Sequence, residues 1–423
     1  TGNSAVASLS FERDLANAPG AVYLRLVNEH SGEEQIPWIK IADDCAAAWG
    51  TQLAVPTGGP YRLETCVKAE DTEFKDALAG DFRLHVFAGD VYLIAGQSNA
   101  VGYAREPCAD PAVIGVSVYR QSGKWDLASH PLHDGTDSIY KNLDVPAAAH
   151  SPWLAFAKTV FRTTGVPIGL IPAALGGSPM PSWVPGAVLY ENALQMVRDA
   201  GGICGVLWYQ GCADVLSLDT ERYLQRFFAM VEGLRSALAQ PDLPFYTCQL
   251  NGFTEPGTAA DDQAWTELRA LQLRAAEQAG IHLLATAGME LYDQIHNSAA
   301  SNLRIGRQVA AQVLQDRYGV TASYAPPECT AAVRCEDCLI LTFAPAYGGL
   351  RLGRRAKDAF AVWAGETRLP ITRVEAQGNQ LYLYGAVQTA DRVTFGYRQN
   401  MELCAVTDRK SSMVLAPFCR KLQ

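Results

Sequence analysis

The sequence predicts an α/β protein: a three-layer α/β/α unit built on a mostly parallel sheet, with β-rich regions before and after it. Three observations carry this. Continuous apolar runs of strand length recur between residues 91 and 286. Segments with helical apolar spacing separate them. Before residue 89 and after about residue 325 the helical period fades into short strand-like runs. Parallel strands covered on both faces read as unbroken apolar runs, and the helices between them supply the crossovers.

Residues 1–88 hold AVYLRLV, QLAV and FRLHVF, broken by APG, TGGP and polar stretches, which predicts an N-terminal β-rich domain. The α/β/α unit is expected over residues 89–320. Its strands are VYLIAG (91–96), VIGVSVY (113–119), VPIGLIP (166–172), ICGVLWY (203–209), LPFYTCQL (243–250) and IHLLAT (281–286). Helices are expected where Trp153, Phe156 and Val160 share a face, where Tyr223, Leu224, Phe227, Phe228, Val231, Leu234 and Leu238 do, and through Trp265, Leu268, Leu271 and Ala275. The last helix is expected at roughly 301–317, with Leu303, Val309, Val313 and Leu314 apolar. After the Pro- and Cys-bearing link YAPPECTAAVRCEDC, the runs LILTF, FAVWAG, QLYLYGAV and RVTFGY predict a C-terminal β-rich domain over 325–423.

A chain of 423 residues, 48% hydrophobic and 19% charged, can bury a substantial core. Its net charge of −9 and its lack of Lys/Arg runs exclude binding to a nucleic-acid backbone. No apolar segment is long enough to span a bilayer. The opening TGNSAVASLSF lacks the basic start and apolar middle of a signal peptide. Since there is no initiating Met, cytoplasmic residence and export after loss of a signal peptide both stay open. The eleven cysteines form no disulfide framework; Cys204 and Cys248 read as small buried hydrophobes.

Four rim segments each follow a predicted strand, where ligand sites of such sheets lie. In AGQSNAVG, Ser98 sits at a strand-to-helix transition, Gly96 permitting the tight turn. Serine is also a favoured helix cap, so both readings stand at this point. LYDQIHNSAA places Asp293 three residues before His296, a spacing that lets a carboxylate orient an imidazole. Of the seven histidines, His30 and His85 lie in the β-region and His282 starts a strand. His130, His133 and His150 fall in the irregular stretch 120–150, leaving His296 as the preferred base. PAALGGSPMPSW offers backbone N–H groups at Gly176 and Gly177, and WYQGCAD offers the Gln210 amide.

As a set, these blocks resemble the SGNH (GDSL-like) hydrolases, specifically the sialate O-acetylesterase family and its carbohydrate acetylesterase relatives. GDVYLIAGQSNAVGYA, SPWLAFAKTVFRTTGVPIGLIPAALGGSPMPSW, VLWYQGCAD and DQIHNSAASNLRIGRQVA carry the resemblance, which reaches from about residue 45 to the end. It implies an SGNH-hydrolase three-layer catalytic domain, with Ser98 as nucleophile, His296 as base and Asp293 as its orienter. It further implies an oxyanion hole from the Ser98 N–H, the Gly177 N–H and the Gln210 side chain, and no metal or organic cofactor. The expected partner is an O-acetylated sialic acid or another acetylated glycan, including acetylated xylan or mannan. Asn99, Trp125, His150 and Trp183 are the candidate substrate contacts; Trp125 offers a stacking face in the long rim loop. One departure stands out. Where the family commonly has Glu after the Gly of the QG block, this chain has Cys212, expected to pack rather than attack.

Three other readings carry less. A non-catalytic sugar-binding protein fits the β-rich ends but not a full set of acyl-transfer residues. GGLRLGRR lacks the GK[ST] ending of a phosphate loop. CEDC (335–338) has metal-ligand spacing but no second ligand pair, and reads as a disulfide or two buried thiols.

Overall fold

The computed structural model describes residues 4–14, 16–141, 148–217, 220, 222–321, 326–401 and 403–422. Residues 142–147 of the expected rim loop and 322–325 of the expected link lie outside them. The chain divides into two compact units, residues 1–90 with 113–117 and 161–169, and residues 91–112, 118–160 and 170–423.

In the first unit, Ser4–Glu12 pairs antiparallel with Ala48–Pro56. A four-stranded sheet runs in the order Glu34–Ala42, Ala21–Asn28, Gly58–Lys68, Leu78–Ala88. Along Ala21–Asn28 buried and half-buried residues alternate, as a strand with one covered face requires. Leu24, Leu26, Leu53, Val55 and Leu63 form its core.

The second unit centres on a seven-stranded sheet in the order Ile281–Leu284, Phe245–Cys248, Gly205–Tyr209, Asp90–Gly96, Ile168–Pro172, Val116–Arg120, Lys124–Leu127. The first four of these are parallel to one another. Ile168–Pro172 and Gly205–Tyr209 are buried at every position, which is why their sequences show no alternation. The helices Trp153–Thr164, Tyr223–Ala237 and Ala259–Ala275 form where predicted and bury most of the expected face, while Leu224, Phe228, Leu238 and Leu271 are only half-buried because they sit at its edge. Trp153, Trp208, Trp265 and Phe245 are almost fully buried, each contributing about 1.5–3 kcal/mol of transfer free energy. Val188–Asp199 adds a helix to this set. Thr258 and Asp261 form a reciprocal capping box at the start of Ala259–Ala275. The last helix, Ala299–Tyr318, starts at the Ser298 cap and stops at left-handed Gly319. No helix among the described residues is long and apolar enough to cross a membrane.

The C-terminal strands belong to this second unit. They form two four-stranded sheets and one two-stranded sheet around Leu339, Leu341, Phe343, Val362, Leu383 and Phe395. Buried Arg269 of the Ala259–Ala275 helix ties them to the sheet. Its guanidinium donates to the carbonyls of Leu250, Asn251, Arg398 and Gln399.

All eleven cysteines are unbonded. Cys248 is buried as expected, but Cys204 is only partly so, and its thiol donates to the Val91 carbonyl. The CEDC pair is neither a disulfide nor two buried thiols: Cys335 is exposed and Cys338 buried.

Candidate active site

The strand Asp90–Gly96 ends at a residue that must be glycine. Gly96 has φ +123°, and a Cβ there would run into the Tyr209 carbonyl of the adjacent strand. The chain then turns directly into the short helix Ser98–Val101, which begins at Ser98. The first N–H groups of a helix have no partner within it, so the Ser98 N–H is free to serve an oxyanion. Gln97 fixes the turn: its Oε1 accepts from the N–H groups of Gly211 (3.0 Å) and Ala213 (3.2 Å).

Asp293 and His296 sit in a loop closed by the Tyr292 N–H donating to the His296 carbonyl at 2.8 Å. Asp293 Oδ1 accepts from the N–H groups of Ile295 (2.9 Å) and His296 (2.8 Å), and its Oδ2 meets His296 Nδ1 at 2.7 Å. Partial burial pushes the Asp293 carboxyl up, but the His296 ring and the two backbone N–H donors outweigh it and hold the group below its ordinary value. It is therefore ionised at neutral pH, and His296 Nε2 meets no protein partner among the described residues.

What joins the two halves is Asn99. Its Nδ2 donates to the Ile295 carbonyl (3.1 Å) and its Oδ1 accepts from the Asn297 N–H (3.0 Å). The residue after Ser98 thus grips both neighbours of His296. Asn251, which the sequence reading missed, adds a second donor to the Ile295 carbonyl at 2.6 Å. It follows the strand Phe245–Cys248, as every other rim residue here follows a strand, and that position was the available signal.

The turn at Gly176–Gly177 is sewn to the same place. The Leu175 N–H donates to the Gly96 carbonyl at 3.1 Å, and the Ser178 hydroxyl donates to the Leu175 carbonyl at 2.8 Å. Gly177 has φ +70°, a left-handed conformation that favours glycine. Its exposed N–H has no protein acceptor among the described residues.

Of the expected substrate contacts, three are buried and one is exposed. Asn99 is buried and is engaged in the clasp just described. Trp183 is buried edge-on against Trp208 (5.4 Å), its indole N–H donating to the Ser178 hydroxyl at 3.0 Å, so it supports the turn rather than facing a ligand. His150 is buried beside Asp110 and His130. Trp125 alone is exposed, its ring edge-on to Tyr119 at 5.4 Å. Gln210 also departs from expectation. Its amide donates to the Ser178 carbonyl (3.2 Å) and to the Asp214 carboxylate, which commits both N–H bonds away from any oxyanion. Burial pushes the Cys212 thiol up to about 12, which suits packing and not nucleophilic attack. His133 is fully buried. Its Nε2 accepts from the Ala174 N–H at 3.1 Å, and desolvation pulls its pKa down to about 3.

Asp110, His130 and His150 bring three ligand-type atoms within 4.8 Å of one another. The set does not fit a cation. Lys158 pairs with Asp110, and the Ser151 N–H points at His130 Nδ1 (3.4 Å). That keeps the His130 proton on Nε2, where a metal would have to bind and where His130 instead reaches Asp110 at 2.9 Å.

The family described as carbohydrate esterase, sialic acid-specific acetylesterase matches residues 88–315, more than half of the chain. This chain belongs to that family. The family's carbohydrate acetyl-ester hydrolysis is thus the chemistry read from the four rim blocks, and the α/β/α sheet is its expected scaffold. A probable carbohydrate esterase of Arabidopsis thaliana is 30% identical over 177 residues, 36% of this chain and 66% of that protein. The chain thus spans just under two thirds of that relative. A carbohydrate acetylesterase from Xanthomonas citri shares the fold, with a TM-score of 0.68 at 19% identity over 98% of this chain and 95% of that one.

Proposed function

We propose that the protein is a serine O-acetylesterase acting on O-acetylated sialic acid, with Ser98, His296 and Asp293 as its catalytic residues. The observation that carries this is the Asn99 clasp, which ties the loop of an Asp–His pair, its Nε2 without a partner among the described residues, to the residue that follows the serine at the strand-to-helix turn. His296 Nε2 takes the Ser98 proton as the serine oxygen attacks the acetyl carbonyl. The N–H groups of Ser98 and Gly177 receive the developing oxyanion. His296 then protonates the departing sugar oxygen, and water, activated by the same ring, frees acetate from the acetyl-enzyme. Asp293 keeps the ring in the productive tautomer and stabilises its charged form. Sialic acid as the sugar rests on the description of the family.

A neutral acetylated glycan is the second reading, and one observation favours it. The cavity of about 650 Å³ beside Asp293 is lined by Glu255, Asp262, Glu290 and Asp293 against Arg355 and Arg398. That excess of carboxylates disfavours an anionic sugar nearby. The test is acetate release from O-acetylated sialic acid, acetylated xylan and acetylated mannan, each with wild type and Ser98→Ala. Release from sialic acid by wild type alone supports the first reading. Release only from xylan or mannan moves the substrate to the second. Equal release by both proteins removes Ser98 as nucleophile.

A further inference from the structure

Tyr103 stands two residues past the Ser98–Val101 turn, in a position given no role so far. Its ring packs on His296, with centroids 4.8 Å apart and planes tilted by 50°. Its far end reaches the oxyanion turn. A Cβ added at Gly176 would collide with the Tyr103 hydroxyl, and the three nearest atoms to it all belong to Tyr103. Gly176 is not in the left-handed region, so the tyrosine, not the backbone, is what demands glycine there. One side chain therefore spans the distance from the base to the donors.

Donor supply at the site is otherwise short. Ser98 and Gly177 offer two backbone N–H groups, and both N–H bonds of Gln210 are spent on Ser178 and Asp214. The Tyr103 hydroxyl has no hydrogen-bond partner among the described residues, and it sits beside the peptide that carries the Gly177 N–H. Burial of the ring raises its pKa, so the phenol stays a donor wherever a histidine base is active.

We propose that Tyr103 is a further catalytic residue, its hydroxyl giving the oxyanion the third hydrogen bond that Gln210 does not. This rests on the reading of Ser98 as nucleophile. A donor aimed at charge that exists only in the transition state affects turnover, not substrate binding.

The experiment follows hydrolysis of 4-nitrophenyl acetate by wild type, Tyr103→Phe, Gly176→Ala and Ser98→Ala, with melting temperatures alongside. Tyr103→Phe is expected to lose about 10²-fold in kcat, with KM within about threefold and the midpoint of the pH profile unmoved. Gly176→Ala, which pushes the hydroxyl aside, should lose kcat in the same direction. A kcat for Tyr103→Phe within about twofold of wild type, or a change in KM alone, overturns the proposal. Should Tyr103→Phe fail to fold, an unchanged kcat in Gly176→Ala overturns it instead. Ser98→Ala separates the two levels. If it stays active, the nucleophile reading fails; if it is inactive while Tyr103→Phe runs at full rate, only the tyrosine fails.

Discussion

Two aspartate–histidine pairs occupy the same unit and serve opposite ends. Asp293 meets His296 at 2.7 Å, and Asp110 meets His130 at 2.9 Å. The imidazoles are equally accessible, at 17% and 16%. The carboxylates differ, Asp293 being 42% exposed and Asp110 only 4%. So does the second nitrogen. His130 Nδ1 faces the Ser151 N–H, while His296 Nε2 has nothing to hold. Asp110 shares its charge among His130, His150 and Lys158. These contacts outweigh a burial that would raise it and keep it far below the ordinary carboxylate value. A histidine becomes a base through the lone pair it has left over, not through its distance to an acid. The Asp110 group instead binds loop to helix.

The sharpest way to break this contrast is at the proposed nucleophile. Ser98→Ala should lower acetate release by about 10⁴-fold or more while leaving the melting temperature near wild type. Next, Asp293→Asn should cost about 10³–10⁴ in kcat with little loss of stability. Asp110→Asn should do the reverse: breaking a buried pair costs about 3–5 kcal/mol in urea unfolding, but folded molecules should keep their rate. If Asp110→Asn lost rate without losing stability, the two pairs would not differ as argued. Asn99→Ala should fall between, losing about 10–10² in kcat as the His296 loop drifts from Ser98.

The smallest effect is in pH. Burial lowers the pKa of His130 below its ordinary value and brings His133 to about 3, so in the folded protein both take up a proton at lower pH than in the unfolded chain. The unfolded chain binds their protons near pH 6.5. Groups with depressed folded values stabilise fully above the unfolded value and lose that contribution as pH falls through the folded one. Stability should therefore decline from about pH 6.5 downward, by at most about 1.4 kcal/mol per pH unit for each group. Urea unfolding between pH 7 and pH 4 measures this, and His133→Gln should remove its share of the slope. A slope identical in that variant would mean His133 does not stay neutral.

The sequence carried the sheet, because runs such as VYLIAG and ICGVLWY have no polar alternation to confuse with another structure. It also carried the candidate rim, since each functional segment follows such a run. Exposure was less legible. Trp183 and His150 have residue types suited to sugar contact, yet what buries them, Trp208 and Asp110, lies far along the chain. Asn99 likewise takes its role from partners 196 and 198 positions away. Gln210 is different, because its competitor Asp214 stands only four residues on, across the start of the Cys212–Leu216 helix. That pairing was readable and points the amide away from the oxyanion. Tyr103 could not be found locally, since its meaning comes from Gly176 and His296 together.

The Asn99 clasp also sets an order in time. During synthesis Ser98 leaves the ribosome long before Asn297, the later of the clasp's partners, which lies 198 residues on. At about 5–20 residues per second, the serine waits roughly 10–40 s for the segment that holds its base. On the proposed triad, the growing chain until then carries Ser98 without its base, and activity is expected only once the last helix begins to form.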